Sequence, residues 1–150
     1  MKDNIKIAVR YQSGNGNTKR VAEILADELG IEAKTWNIPL EENVDILLAG
    51  SGEYAQHAGR GIKKMIMELP KDSAKKVVAF STTAMTPFAC SDILATARKN
   101  GIDTGKKKLT IFMGMKGHKA IHSVGGRITK KQEQKIRKFA QELLKETDEL

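Results

Sequence analysis

Two hydrophobic periods alternate along the whole chain. Short apolar runs of β type, Ile5–Val9, Ala33–Trp36, Ile46–Ala49, Val77–Phe80 and Leu109–Met113, are separated by stretches whose apolar residues recur at helical spacing. Several of the runs have no polar interruption, the mark of strands covered on both faces. β and α patterns in alternation are what βαβ units around a parallel sheet produce. The spacing predicts one helix over Thr18–Leu29, stopped by Gly30, and another over Gly61–Leu69, closed by Pro70. A third opens with Thr86 as N-cap and Pro87 at the first helical position and ends at Asn100-Gly101. The last starts at Thr129, with Gln132 at capping-box spacing, and runs to about Lys145. Only Asn37 to Asp45 separates the second and third strands, so a turn or irregular segment replaces a full crossover helix there. The 150 residues are expected to form one domain.

In open parallel α/β sheets, ligands bind in the crevice outside the carboxyl ends of the strands. Three segments fall there. The first is Ser13-Gly14-Asn15-Gly16-Asn17-Thr18, between the first strand and the first helix. Its two glycines allow a tight turn with N–H groups facing inward, and the Ser and Thr hydroxyls and the helix N-terminus add donors, which is the chemistry of a phosphate cradle. A dinucleotide fingerprint is excluded because Lys19 stands where its third glycine belongs, and no P-loop spacing occurs. A turn that merely caps the helix is the competing reading. The second segment, Gly50 to Gly59, contains Gly52, Glu53, Tyr54 and Ala55; the third is Ser81-Thr82-Thr83-Ala84-Met85. A cradle, a glycine-bearing loop with a tyrosine and a third polar loop are the parts needed to hold a phosphorylated planar heterocycle, which points to flavin mononucleotide (FMN).

With these motifs in this order, nearly the whole chain resembles the flavodoxin family: the Ser-Gly-x-Gly-Asn-Thr loop after strand one, the Asp45-led strand ending in Gly50-Ser51, and Tyr54 ahead of the Ile62-Lys63-Lys64-Met65-Ile66 helix. The resemblance implies an α/β fold with a flavodoxin-like doubly wound five-stranded parallel sheet in order 2-1-3-4-5, helices on both faces, and FMN at the switch between strands one and three. It implies that Ser13, Gly14, Asn15, Gly16, Asn17 and Thr18 hold the phosphate and that Tyr54 stacks on the isoalloxazine ring. Met85 lies near the place where relatives carry a second aromatic, so a thioether covers the other ring face or belongs to the core. Ala55 stands where relatives often have a glycine, and its side chain is expected to resist a positive φ.

Charge changes the picture of partners. Lys plus Arg number 26 against 18 Asp plus Glu, a formal net charge of +8. Resemblance to acidic carriers therefore does not extend to their partners, and redox proteins with an acidic docking surface are expected. The basic residues of the last helix alternate with a buried face and read as solvated, and with only seven aromatic residues and no RNA-binding signature a nucleic-acid module is the weaker alternative. A second alternative is an NAD(P)H-dependent flavin or quinone reductase of the same fold, with Arg60, Lys116, His118 and Lys119 offering charge to a pyridine-nucleotide phosphate. His57, His118 and His122 lack the carboxylate-rich spacing of a metal site. Cys90, alone and among apolar neighbours, reads as a small helix residue and excludes an internal disulfide. No signal peptide or membrane span is expected, and the reading is of a cytoplasmic electron carrier.

Overall fold

Strands and helices alternate through the computed structural model, which describes residues 5–84, 86–113 and 128–148. The elements are β1 (Ile7–Gln12), α1 (Asn17–Leu29), β2 (Ala33–Thr35), β3 (Val44–Tyr54), β4 (His57–Ala58), α2 (Arg60–Met67), β5 (Ala74–Thr83), α3 (Phe88–Lys99), β6 (Asp103–Thr104), β7 (Leu109–Phe112) and α4 (Lys130–Asp148). β2, β1, β3 and β5 pair in that order, all parallel. The fifth position is shared: β6 lies beside the start of β5 and β7 beside its end, both parallel to it. This is the expected 2-1-3-4-5 order with its last strand split in two, plus a short antiparallel β4 folded back on the end of β3.

Alternate residues of the central strands point to opposite layers. Val9, Leu48, Val78, Phe80 and Ile111 pack with Val21, Leu25, Ile136 and Leu143 of α1 and α4, whereas Leu47, Ala49, Val77 and Ala79 pack with Ile62, Ile66, Ile93 and Ala97 of α2 and α3. The sheet is therefore wound on both sides, and its strands are apolar throughout because neither face meets water. Helix ends follow their local chemistry. Gly30, at φ 72°, closes α1 in the left-handed conformation while Ile31 N–H donates to Ala26 O. Thr129 and Gln132 make the reciprocal capping box before α4, each bond 3.0 Å long.

Several boundaries differ from the sequence expectation. Strand pairing carries β3 on through Gly50, Ser51, Gly52, Glu53 and Tyr54, and β5 on through Ser81, Thr82 and Thr83, all read from sequence as loops. Hydropathy ends where the side chains turn polar, but the ladder continues because backbone groups, not side chains, pair the strands. The third helix starts at Phe88, with Pro87 rather than Thr86 at the N-cap position. Between β2 and β3 the irregular segment is held by Arg10. Its guanidinium, almost fully buried, donates from Nε to Ile38 O at 2.8 Å, from Nη2 to Pro39 O at 2.9 Å and from Nη1 to Val9 O at 3.0 Å. A side chain thus satisfies carbonyls that a crossover helix would have paired internally.

The close approach of β3 to β5 depends on Gly50, whose Cβ position lies 2.1 Å from two ring carbons of the fully buried Phe80. Gly50→Ala is expected to destabilise the fold by about 1–3 kcal/mol through overpacking. A urea midpoint equal to that of the parent would contradict this packing.

Candidate functional site

The parallel register sets the end of β1 level with residues two or three short of the ends of β3, β5 and β7, and the crevice opens above them. Gln12, Ser51, Ser81 and Thr110 stand side by side in one row. On the α2 and α3 side of the sheet each meets a partner. Gln12 Oε1 accepts from Ile62 N–H at 2.8 Å, Ser51 Oγ accepts from Gly59 N–H at 2.8 Å, and the Cys90 thiol lies 3.4 Å from Ser81 Oγ and 3.6 Å from Thr110 Oγ1. Burial pushes the Cys90 thiol pKa up despite the bonds to Ser81 and Thr110, so the group stays neutral. Next to this row, Thr18 Oγ1 and Thr82 Oγ1 share a buried hydrogen bond of 2.8 Å that ties the first turn of α1 to β5. The hydroxyls of Thr18, Ser81 and Thr82 therefore brace the floor of the crevice. This corrects the expectation that Ser81, Thr82 and Thr83 belong to a polar loop after the strand, since all three are buried residues of β5.

Above the floor lies the Ser13–Thr18 turn. Gly16, at φ 97°, makes the bend that a residue with a side chain would resist. The amides of a first helical turn have no acceptor within the helix. Here the loop's own side chains serve two donors: Ser13 Oγ accepts from Gly16 N–H at 3.0 Å and Asn15 Oδ1 from Asn17 N–H at 3.2 Å. Asn17 Oδ1 is buried without a hydrogen-bond partner. Half a turn of that carboxamide would aim its N–H donors where the oxygen now points. No acidic residue occupies the first turn of α1. A positive helix end and the donors that a turned Asn17 carboxamide would offer suit a phosphate and would repel a cation.

Tyr54 closes the mouth. Its hydroxyl lies 3.3 Å from the Cβ position of Gly14 and 3.2 Å from that of Gly52, so the ring folds over two residues without side chains. It remains 42% exposed. The next two residues make the turn between β3 and β4, with Ala55 at φ 50° and Gln56 at φ 71°. Ala55 takes a positive φ although its side chain resists one: two consecutive left-handed residues are what a tight hairpin matched to the sheet twist requires, at a cost of roughly 1–2 kcal/mol per residue that has a Cβ. Strain is thus stored beside the tyrosine.

Glu53 has a different place from the one expected of a ligand-binding loop. Its Oε1 accepts from Phe88 N–H at 2.8 Å and Ala89 N–H at 3.0 Å, and its Oε2 from the Thr86 hydroxyl. A carboxylate from β3 thereby does the capping assigned to Thr86 in the sequence, and it ties together the two segments that flank the crevice. Asp92 plays the matching part for the hairpin, accepting from Ala58 N–H at 2.9 Å and Lys63 Nζ at 2.8 Å, with His57 Nδ1 3.7 Å away. Burial alone would raise the Asp92 pKa, but the Lys63 and Ala58 bonds together draw it below the usual range. Neither role is readable from spacing, because the partners lie about 34 and 35 residues apart. Met85, Lys116, His118, Lys119 and His122 lie outside the described residues.

A cavity of about 490 Å³ lies elsewhere, between residues 36–43 and the end of α2, lined by Trp36, Leu40, Met65 and Leu69 among others. It lies beside the irregular segment that stands in place of a crossover helix.

No protein-family model matches the chain, and no curated protein matches it by sequence. Solved structures do match in shape. A flavodoxin from the domain Archaea superposes with a TM-score of 0.74 at 17% identity, over 96% of this chain and 99% of its own. Oxidised flavodoxin 2 from Bacillus cereus gives 0.65 at 15% identity, over 90% and 94%. A flavoprotein from Lactobacillus acidophilus NCFM, solved in complex with FMN, gives 0.56 at 17%, over 71% and 93%. At these identities the likeness shows the fold.

If Glu53 caps α3 across the crevice, Glu53→Ala should cost about 1–2 kcal/mol, the range for a lost N-cap. Hydrogen exchange at the Phe88 and Ala89 amides should quicken in that variant. Unchanged protection at both amides would show that the carboxylate does not hold them.

Proposed function

We propose that this chain, which has the flavodoxin-like fold, is an FMN-binding electron carrier. The observation that carries the reading is the Ser13–Thr18 turn, which follows the last β1–β3 pair, Gln12 with Ser51, and holds the unpartnered Asn17 Oδ1 at a helix N-terminus. FMN, when bound, would supply the redox chemistry, taking up and releasing electrons. The chain's own residues bind and orient it. The amides of Ser13 to Thr18 and the Ser13 hydroxyl would take the phosphate, displacing Ser13 Oγ and Asn15 Oδ1 from the amides they now cap, while the Thr18 hydroxyl stays on Thr82. Tyr54 offers an exposed ring for offset stacking, on a hairpin held by Asp92. The hydroxyls below are engaged with one another and stiffen the floor. No side chain is assigned a proton-transfer or nucleophilic role, as expected where the cofactor carries the reaction.

The test compares FMN with riboflavin, which lacks the phosphate, by quenching of flavin fluorescence on titration with the metal-free, flavin-free chain. The parent should bind FMN and take riboflavin far more weakly. Asn17→Asp keeps the side-chain shape but puts a negative charge in the turn, and should erase the preference for FMN. Equal affinity for both flavins in the parent would reject the phosphate site.

Tyr54→Ala should weaken FMN binding by roughly 0.5–1.5 kcal/mol beyond the lost area and leave the remaining complex brighter, because the stacked ring is the quencher. Identical affinity and quenching in variant and parent would remove Tyr54 from the flavin.

A further inference from the structure

The cavity between residues 36–43 and the end of α2 has two walls, and each is pinned from outside it. In the first, Trp36 N–H donates to Tyr11 O at 2.8 Å, and Arg10 holds the carbonyls of Ile38 and Pro39. Val44 N–H closes this segment on Ser73 O at 2.8 Å. The second wall is the last turn of α2 with its exit, where Asn100 Nδ2 donates to Ile66 O at 2.9 Å and to Leu69 O at 3.3 Å. Both walls thus stand without a ligand. At about 490 Å³, the space they enclose is within the ~300–1,000 Å³ of preformed small-molecule sites.

The lining changes character along the cavity. The Trp36 ring atoms nearest the Cβ position of Gly61 are the fusion carbons Cδ2 and Cε2 and the adjoining Cζ2, so the indole lies face-on to the bare backbone of α2. One face is closed in this way, and the opposite face is the one open to a ligand. Gly61, Met65, Glu68 and Leu69 stand at i, i+4, i+7 and i+8, a single stripe of the helix. Seven residues of rise put Gly61 and Glu68 about 10 Å apart along the axis. The stripe therefore runs from an aromatic ring through apolar side chains to a carboxylate. Of the lining acids, Glu41 and Glu42 are already paired with Lys34 and Lys6. Glu68 is not ion-paired among the described residues, and it caps the C-terminus of α2, where the negative end of the helix dipole adds to its charge.

We propose that this cavity binds an amphipathic organic amine. Its aromatic ring stacks on the free face of Trp36, its aliphatic spacer lies along Leu40 and Met65, and its ammonium head meets Glu68 at the end of α2. An anionic head in the same place would face both the carboxylate and the helix end. The site is separate from the Ser13–Thr18 turn, so it stands whether or not the chain takes FMN.

Trp36 is the only tryptophan of the chain, so its emission reports on this cavity. The flavin-free chain is titrated with phenylbutylamine, and in parallel with phenylbutanol and phenylbutyrate, which carry an aromatic ring and aliphatic spacer with a neutral or an anionic head. The amine should change Trp36 emission saturably and bind at least about threefold more tightly than the alcohol, with the acid weakest, as one charge contact requires. Glu68→Gln should bring the amine down to the affinity of the alcohol. Lys64→Gln, which removes the one base lining the cavity, should tighten the amine. Opposite signs at two exposed positions of one helix cannot come from loss of fold. Amide shifts should fall on Leu40, Met65, Glu68 and Leu69 and leave Gly14 to Thr18 unmoved. Equal affinity for the three compounds, amine affinity unmoved by both substitutions, or amide shifts only outside the cavity would each overturn the proposal.

Discussion

One row of register-matched residues sets the rest of the structure: Gln12, Ser51, Ser81 and Thr110, level across four parallel strands. Below it the strands are apolar on both faces and carry the two cores. At it the side chains become polar, and each satisfies a group at the start of α2 or α3. Buried polar groups persist only when paired, so the row fixes where those helices can begin. One residue further along the strands, Thr82 does the same for α1 through Thr18. The crevice is thus a consequence of strands that share one polar row near their carboxyl ends, on bonds reaching up into the helices.

That arrangement explains what the sequence discloses and what it conceals. Apolar runs, capping signals and the glycine-bearing turn lie within short windows, so the doubly wound sheet, the Thr129–Gln132 box and the Ser13–Thr18 loop are legible before any coordinates. Ser81, Thr82 and Thr83 mislead because a hydropathy reading ends a strand at its first hydroxyl, whereas here the hydroxyls are buried against partners from distant segments. Glu53 misleads in the other direction. It lies in the segment read as a ligand loop, but a helix that starts 35 residues later takes up its carboxylate. Ala55 follows the same logic, since pairing of Tyr54 with His57 across the hairpin imposes a backbone conformation that an alanine would not choose by itself.

Two carboxylates, Glu53 and Asp92, carry much of the geometry around the crevice while adding little exposed negative charge to it. Glu53 joins the end of β3 to α3, and Asp92 joins α3 to the hairpin, so the segments on either side of Tyr54 are clamped to one helix.

The account's central claim is that the turn between β1 and α1 is a phosphate site. Amide spectra of the flavin-free chain, recorded as FMN is added, test it directly. The largest shifts should fall on Gly14, Gly16, Asn17 and Thr18, with a second group on Tyr54, Ala55 and Gln56. Shifts confined to the cavity walled by Trp36, Leu40, Met65 and Leu69, with the Ser13–Thr18 amides unmoved at saturating FMN, would contradict it.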